Sequence, residues 1–468
     1  MVFSNLTFLY LFLPLNLLLY FIGKNTTWRN GVLTAFSLFF YAWGEPVFVL
    51  LLLFSAAANY GFGLAIARYK GDSPKCRLLL ASSVAVNLGL LAFFKYSAFL
   101  VANLNALLGT SIPAPAVALP IGISFYTFQI LSYVIDVYRG EVAAQRSFLK
   151  LLMYVSMYPQ LVAGPIVRYS HIAEEIENRA VTWDSFSRGI TRFCFGLFKK
   201  VVVANYAGQL ASSYLDGDLS QLSTPGAWLG LLLFTLQIYY DFSAYSDMAI
   251  GLGQMFGFHY RENFDYPYIS CSVTEFWRRW HISLGSFFRD YLYIPLGGNR
   301  FHPLRNLLIV WFFTGLWHGA SWNFILWGLY FGCFIALERY VWGGLLKRLP
   351  RAVSWAYSMF LVMLGWGLFY FTDLGRLATF FRALFAGVGT DLPVLGVVVM
   401  NNILWLILAM IFCMPVTRLC SRLVPRGSPK WGGALLEWGQ IAVNLGMLLV
   451  STAFLVGQSY NPFLYFRF

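Results

Sequence analysis

Long uncharged runs alternate with short polar connections along the whole chain. A membrane-crossing helix needs about 17–25 mostly apolar residues, and runs of this kind recur from one end of the sequence to the other. The pattern predicts an all-α, polytopic membrane protein with about ten to twelve transmembrane helices. The predicted spans are residues 3–22, 31–44, 46–66, 78–94, 117–137, 148–163, 190–206, 226–256, 305–340 (in two pieces), 353–371, 393–414 and 434–456.

The charges around the first runs predict the orientation. Val2–Ile22 is uncharged, and Lys24 and Arg29 follow it rather than precede it, which is the reverse of a cleaved signal peptide. The basic loop Arg68–Arg77 comes two predicted spans later. Because Lys and Arg concentrate in cytoplasmic loops, we expect both basic segments in the cytoplasm and the N-terminus on the periplasmic side of a multi-pass inner-membrane protein.

Composition supports a membrane protein over a soluble one. Hydrophobic residues make up 59% of the 468 residues and charged residues 11%, whereas soluble domains carry about 25% charged residues. The net charge of +13 lies in short connecting loops, so membrane topology explains it and nucleic acid is not an expected partner. The six cysteines show no CxxC or zinc-like spacing and are expected to be free thiols.

One polar connection, His259–Asn306, mixes arginines and carboxylates with aromatic residues. This composition predicts helices that lie at the membrane interface or re-enter the bilayer, and the sequence PLGGN at 295–299 predicts a tight turn. Its arginines could contact lipid phosphates, or could form an electropositive mouth for a phosphate-bearing donor with His281 further in. The candidate donor-binding residues are Arg278, Arg279, Arg289 and Arg300.

His318 is the one group that titrates near neutrality in the uncharged run 307–337. A histidine within a span is rare and usually faces the protein interior or a wet cavity, although a neutral histidine with one structural hydrogen bond is an open alternative. Gly315 and Gly319 would allow backbone or substrate to approach closely, and the hydroxyl of Ser321 and the amide of Asn323 suggest that a polar cavity breaks the span there. No metal site is expected, because the histidines have neither HExxH spacing nor an ordered set of partner ligands.

The apolar segment Leu236–Phe258 contains two carboxylates, Asp241 and Asp247. Buried carboxylates need partners, and we expect arginine or tyrosine from the basic connection downstream to supply them. No internal repeat is evident in the sequence, which disfavours a secondary transporter.

Six blocks of the sequence together resemble the membrane-bound O-acyltransferase (MBOAT) family, and in particular its bacterial alginate O-acetyltransferase-like branch. The resemblance covers nearly the whole chain, so we expect a single integral-membrane domain, 1–468, with its core signature blocks at roughly 117–340. The blocks are PIGISFYTFQ (120–129), YPQLVAGPIVR (158–168), YYDFSAYSDMAIGLGQMFGF (239–258), EFWRRWHISLGSFFRDYLYIPLGGNR (275–300), GLWHGASWNFILWGLYFG (315–332) and SYNPFLYFRF (459–468).

The resemblance implies a fold, a site and a reaction. The family fold is a ring of tilted helices around a tunnel, with His318 at the position of the catalytic histidine and His281 at the second signature position. We expect Trp317, Ser321, Asn323, Asp241 and Tyr240 to line the tunnel.

The expected reaction is O-acetylation of an exopolysaccharide such as alginate. The donor would be acetyl-CoA, a substrate rather than a bound cofactor, and a periplasmic SGNH-type acetyltransferase or the polysaccharide itself would be the partner, with lipid around the protein. D-alanyl transfer to teichoic acid from an acyl carrier protein and a proton-coupled transporter or flippase are the alternatives.

Overall fold

A computed structural model describes residues 1–416, 430–457 and 463–464. The chain folds into two compact units, residues 1–193 with 245–261 and residues 194–244 with 262–468. Within the described ranges both units are helical, and the β-structure there is one antiparallel bridge between Ser223 and Val388. Cys420 and most of the sequence block 459–468 lie outside the described residues. Organisation as a single domain stays a prediction.

The first unit is built from the N-terminal helices, several of which begin at side-chain caps. Asn25 accepts a hydrogen bond from the Trp28 backbone, and Asp72 accepts one from the Lys75 backbone. Such caps satisfy N–H groups that have no partner within the helix. The helices are α1 (Phe8–Ile22), α2 (Thr26–Gly44), α3 (Val49–Arg68), α4 (Ser73–Leu108), α5 (Ile123–Arg139), α6 (Phe148–Ser156), α7 (Tyr158–Leu161), α8 (Tyr169–Glu177) and α9 (Trp183–Phe198).

The second unit contains the remaining helices, except that residues 245–255 of the helix Thr224–Met255 belong to the first unit. Its core is built from large aromatic side chains, among them Trp327, Trp366 and Phe331. A π-helical turn, Lys199–Ala204, continues α9 into the next helix. The helices are α10 (Asn205–Leu215), α11 (Thr224–Met255), α12 (Val273–Arg279), α13 (Ile282–Phe288), α14 (Pro303–His318), α15 (Trp322–Leu346), α16 (Arg351–Tyr370), α17 (Leu374–Ala386), α18 (Leu392–Phe412) and α19 (Lys430–Gly457). Shorter turns occur at Leu219–Gln221, Pro267–Ile269 and Arg289–Tyr293.

Helices occupy every predicted span, and the predicted division of residues 305–340 into two pieces is confirmed by α14 and α15. In the described part of the chain, six helices are long and apolar enough to cross a membrane: α3, α4, α15, α16, α18 and residues Glu437–Gly457 of α19. The other predicted spans are shorter or more polar; α5 and α14, for example, have 17 and 16 residues. The protein is therefore an all-α, multi-pass membrane protein, and the count of ten to twelve crossings stays a prediction.

The polar connection 259–306 forms short helices, as its composition predicts. Helices α12 and α13 have seven residues each, too few to span a bilayer. The predicted tight turn follows α13, where Gly297 and Gly298 have φ of 112° and 53°. Glycine adopts this left-handed region without the steric cost of a Cβ atom. The five described cysteines are free thiols.

Candidate active site

Helices α14 and α15 form a hairpin whose backbones touch at two glycines. A Cβ atom at Gly315 would lie 2.3 Å from the Phe324 carbonyl oxygen, and a Cβ at Gly328 would lie 2.3 Å from the Trp311 carbonyl oxygen. The close approach expected at Gly315 is therefore confirmed, and the group that approaches is the backbone of α15. This contact fixes the position of α14, whose last residue is His318.

The chain leaves the helix directly after His318. Gly319 is extended, with φ −169° and ψ 156°, and Ser321 is also extended where it precedes the first residue of α15. The break that the sequence predicts near Ser321 is therefore present. It places His318 at a helix end rather than in the middle of a continuous span.

Aromatic rings surround the His318 imidazole, which is 8% exposed. Its centroid lies 4.8 Å from that of Trp327, 5.0 Å from that of Trp317 and 5.4 Å from that of Phe369. All three rings meet it at steep angles, between 76° and 82°. Packing on several sides holds the plane of the imidazole and keeps bulk water from these faces.

His281 lies at the junction of α12 and α13, outside the membrane-spanning helices. Its backbone has φ 46° and ψ 53°, a conformation that is uncommon for residues other than glycine and that recurs at functional sites. The side chain is 2% exposed, and its Nδ1 atom lies 3.1 Å from Oδ1 of Asn263. Burial lowers the pKa of His281 to about 3, so the ring is neutral at physiological pH.

Trp317 connects the two histidines. Its ring centroid lies 6.1 Å from that of His281 and 5.0 Å from that of its neighbour, His318. The Phe242 ring lies on another side of His281, at 4.7 Å. The second unit thus brings both histidines, far apart in the sequence, to the same tryptophan.

A site with two buried imidazoles suits proton transfer at a hydroxyl group. The model of the MBOAT, membrane-bound O-acyltransferase family matches residues 139–374, just over half of the chain, including both histidines. The chain belongs to this family. It is a membrane acyltransferase.

Relatives of this MBOAT protein extend over its full length. The probable alginate O-acetylase AlgI of Pseudomonas putida is 39% identical over 488 residues, covering 100% of each chain. The peptidoglycan O-acetyltransferase of Helicobacter pylori is 31% identical and covers 100% of this chain and 98% of its own length. The teichoic acid D-alanyltransferase of Bacillus subtilis is 28% identical, over 49% of this chain and 62% of its own.

Two of the four arginines proposed from the sequence for donor binding have carboxylate partners. Arg279 makes ion pairs with Glu275 at 2.9 Å and with Asp265 at 3.2 Å. Arg289 pairs with the adjacent Asp290 at 2.6 Å. These contacts give both side chains a structural role in the MBOAT protein, and phosphate binding by either would require a pair to open.

Arg278 and Arg300 differ from these two. Both are exposed, and neither guanidinium forms a hydrogen bond or ion pair with another residue in the described part of the chain. They are therefore available to an anionic group from outside.

The two carboxylates of α11 are paired, but with residues other than those the sequence predicts. Asp241 forms a buried ion pair with Lys200 at 2.5 Å, and its other oxygen accepts a hydrogen bond from the Leu464 backbone at 2.9 Å. Asp247 pairs with Arg192 at 2.9 Å. The expectation of partners from the downstream basic connection is wrong, because the cations come from the segment that precedes α11 in the chain.

Two other residues expected to line a tunnel, Tyr240 and Asn323, form hydrogen bonds within the protein. The Tyr240 hydroxyl donates to the Ala409 carbonyl at 2.6 Å. The fully buried Asn323 donates through Nδ2 to the carbonyl oxygens of Leu368 and Phe369, at 3.2 and 3.4 Å. Asn323 thereby joins the start of α15 to the end of α16, where Phe369 contacts His318. A tunnel-lining role stays a prediction for all of them.

Sequence reasoning missed Asn263, Phe242 and Lys200. Asn263 sits in the ordinary polar stretch RENFDYPY (261–268), and no spacing rule connects it with His281, 18 positions later. Lys200 lies in an apolar run, so it needs a buried anionic partner. The available signal was the nearest apolar helix that carries a carboxylate, which is the helix of Asp241.

Proposed function

We propose that this acyltransferase is an O-acetyltransferase that moves the acetyl group of cytoplasmic acetyl-CoA across the inner membrane for O-acetylation of an exopolysaccharide such as alginate, through a periplasmic partner. The observation that carries the proposal is the meeting of His281 and His318 at Trp317. Full-length relatives named alginate O-acetylase and peptidoglycan O-acetyltransferase support acetyl as the transferred group and a polysaccharide hydroxyl as the final acceptor.

In the proposed reaction, His318 is the general base. Its neutral imidazole takes the proton of the acceptor hydroxyl as the oxygen attacks the thioester carbonyl carbon. A C–O bond forms, the C–S bond breaks, and the proton passes from the imidazolium to the departing thiolate. Catalysis of this kind contributes about 10²–10⁴-fold, and the aromatic rings around His318 limit competing hydrolysis by water.

The phosphates of acetyl-CoA are assigned to Arg278 and Arg300, because these two guanidinium groups are exposed and unpaired within the described residues. Charge-assisted contacts to phosphate favour arginine. With the N-terminus in the periplasm, the donor would enter from the cytoplasm and the acceptor from the other face.

The test is acetyl transfer from radiolabelled acetyl-CoA by purified, reconstituted protein, with a periplasmic acetyltransferase domain or the polysaccharide as acceptor. His318→Ala is compared with wild type. His302→Asn is the matched control, because His302 is exposed and asparagine tolerates its left-handed backbone, φ 48°. We expect transfer by wild type and the control and loss of transfer in His318→Ala at equal thermal stability.

Transfer that survives in His318→Ala would refute the role of that histidine. If wild type transfers label from an acylated carrier protein and not from acetyl-CoA, the donor is a carrier protein. The partial similarity to teichoic acid D-alanyltransferases supports that alternative. Membership of an acyltransferase family disfavours the transporter alternative.

A further inference from the structure

Asn263 holds the turn that carries His281. It is completely buried. Its backbone oxygen accepts a hydrogen bond from the Ile282 N–H at 3.0 Å. Its side-chain Oδ1 accepts from the backbone N–H of Ser283 at 3.1 Å and from the Ser283 hydroxyl at 2.8 Å. One residue is therefore bonded to both residues that follow His281, and it stabilises the left-handed backbone there.

The same oxygen determines which nitrogen of His281 carries the proton. A backbone N–H can only donate, so the Asn263 atom that faces Ser283 is the amide oxygen, an acceptor. That oxygen also lies 3.1 Å from His281 Nδ1, and the Ser283 hydroxyl, 3.4 Å from Nδ1, already donates to the same amide oxygen. Nδ1 therefore acts as the N–H donor to Asn263. In a neutral imidazole the other nitrogen, Nε2, is then an acceptor with a free lone pair.

Nε2 of His281 is buried and has no hydrogen-bond partner among the described residues. Buried polar atoms are nearly always paired, and an unpaired one beside a backbone in the left-handed region indicates a position kept for a ligand. The neighbouring rings, Phe242 and Trp317, present apolar surface. No charged group contributes to the lowered pKa of the ring, which results from burial alone.

We propose that Asn263 is a positioning residue that holds His281 in its Nδ1–H tautomer, so that Nε2 accepts a hydrogen bond from an O–H or N–H group of a substrate. This inference rests on the proposed function and narrows it. The neutral ring has no proton at Nε2 to donate to the negative charge that develops on the thioester carbonyl oxygen during the attack. The proton of the attacking hydroxyl goes to His318, so His281 binds a second donor. That donor is a neighbouring hydroxyl of a sugar acceptor or an amide N–H in the pantetheine arm of the thioester donor.

The tautomer can be measured without turnover. Solid-state NMR of reconstituted protein labelled with ¹⁵N-histidine distinguishes protonated from lone-pair nitrogens, and His281→Gln identifies the signals of His281 among the five histidines. We expect a proton on Nδ1 and none on Nε2 in wild type, and a mixture in Asn263→Ala. A wild-type ring protonated at Nε2 would overturn the proposal, whether or not the protein transfers acetyl groups.

Kinetics test the positioning role with three variants. Asn263→Ala should lower kcat/KM by roughly 10- to 100-fold, the loss expected when a catalytic group is misplaced by up to about 1 Å. Asn263→Asp keeps the acceptor at Nδ1 and loses no hydrogen bond, because Asn263 Nδ2 has no partner in the described residues. Ser283→Ala is the matched control: it removes the hydroxyl that donates to the same oxygen and lies 3.4 Å from Nδ1, but it keeps the Ser283 backbone N–H and the Asn263 oxygen that accepts from Nδ1. It should stay within a few-fold of wild type.

The pH profile separates positioning from a purely structural role. A carboxylate in Asn263→Asp favours the imidazolium and raises the pKa of His281, so the ring protonates, and Nε2 loses its lone pair, at a higher pH. In Asn263→Asp, the acid limb of the kcat/KM profile should move to higher pH. At pH values above this limb, Asn263→Asp should be more active than Asn263→Ala. Equal losses in both variants with an unmoved limb would contradict the proposal. A rise in KM for the thioester in Asn263→Ala would identify the pantetheine amide as the group bound by His281. A rise in KM for the acceptor would identify the sugar hydroxyl.

Discussion

Replacing Gly328 with alanine should misplace His318 without touching it. A Cβ at Gly328 would lie 2.3 Å from the Trp311 carbonyl oxygen and 3.0 Å from Gly315 Cα. Real Cβ atoms essentially never approach closer than 3.0 Å, so the two helices must separate by at least about 0.7 Å, the difference between these distances. His318 lies two turns beyond Trp311 on the same helix. A displacement of about 1 Å can cost about 100-fold in rate, and we expect a loss of between 10- and 100-fold.

The assay is kcat/KM for acetyl transfer, with thermal unfolding of the reconstituted protein measured beside it. Gly344→Ala is the matched control, since Gly344 lies in the same helix and a Cβ there meets nothing within 4 Å. Gly328→Ala and the control should differ in kcat/KM by at least tenfold at a temperature where both are folded. Equal activity would refute the reasoning that the glycine contact sets the position of His318.

Three further predictions follow from the site and its ion pairs. Arg278→Gln should raise KM for acetyl-CoA several-fold and leave kcat unchanged, and the rise should be larger at low salt than at high salt because salt screens exposed charges. Arg348→Gln, in another connection, is the control. An unchanged KM in Arg278→Gln would show that Arg278 does not bind the donor. Asp241→Asn should destabilise the protein by about 3–5 kcal/mol, since it leaves Lys200 buried without its ion-pair partner; thermal unfolding measures this, and a loss below about 1 kcal/mol would contradict it. Burial lowers the pKa of His281 to about 3, so the ring is neutral between pH 5 and 8. His281→Gln should therefore lower kcat/KM without moving a limb in this range, and a limb that disappears would show that His281 titrates there.

Periodicity and composition predict the features that depend on local sequence. The helix break after His318 follows from Gly319 and Ser321, and the tight turn follows from Gly297 and Gly298. Apolar runs predict where helices form because a helix satisfies its backbone hydrogen bonds within its own segment. They predict crossings less well in α14, because the break after His318 divides the run and leaves a helix of only 16 residues.

Local sequence does not predict which residues become neighbours only after the chain has folded. Asp241 requires a cation, but nothing local distinguishes Lys200 from the arginines downstream, and the choice depends on how the segment before α11 packs against it. The role of Asn263 depends on a turn in which His281 has positive φ. Sequence patterns predict positive φ at glycine, but not at a histidine. A sequence therefore identifies both histidines and leaves out the residue that orients one of them.

The two histidines have different surroundings, and these favour different roles in the proposed reaction. Around His318, three aromatic rings pack against the imidazole at the end of α14, which suits a group that gains and loses a proton with a substrate. Around His281, one nitrogen is hydrogen-bonded to Asn263 and the other is buried without a hydrogen-bond partner among the described residues, which suits a group that keeps one protonation state. Two titratable groups in unlike environments divide acid–base and binding roles between them. Exchange of the two roles would require Asn263 to release Nδ1, and the backbone N–H of Ser283 holds the amide oxygen in place.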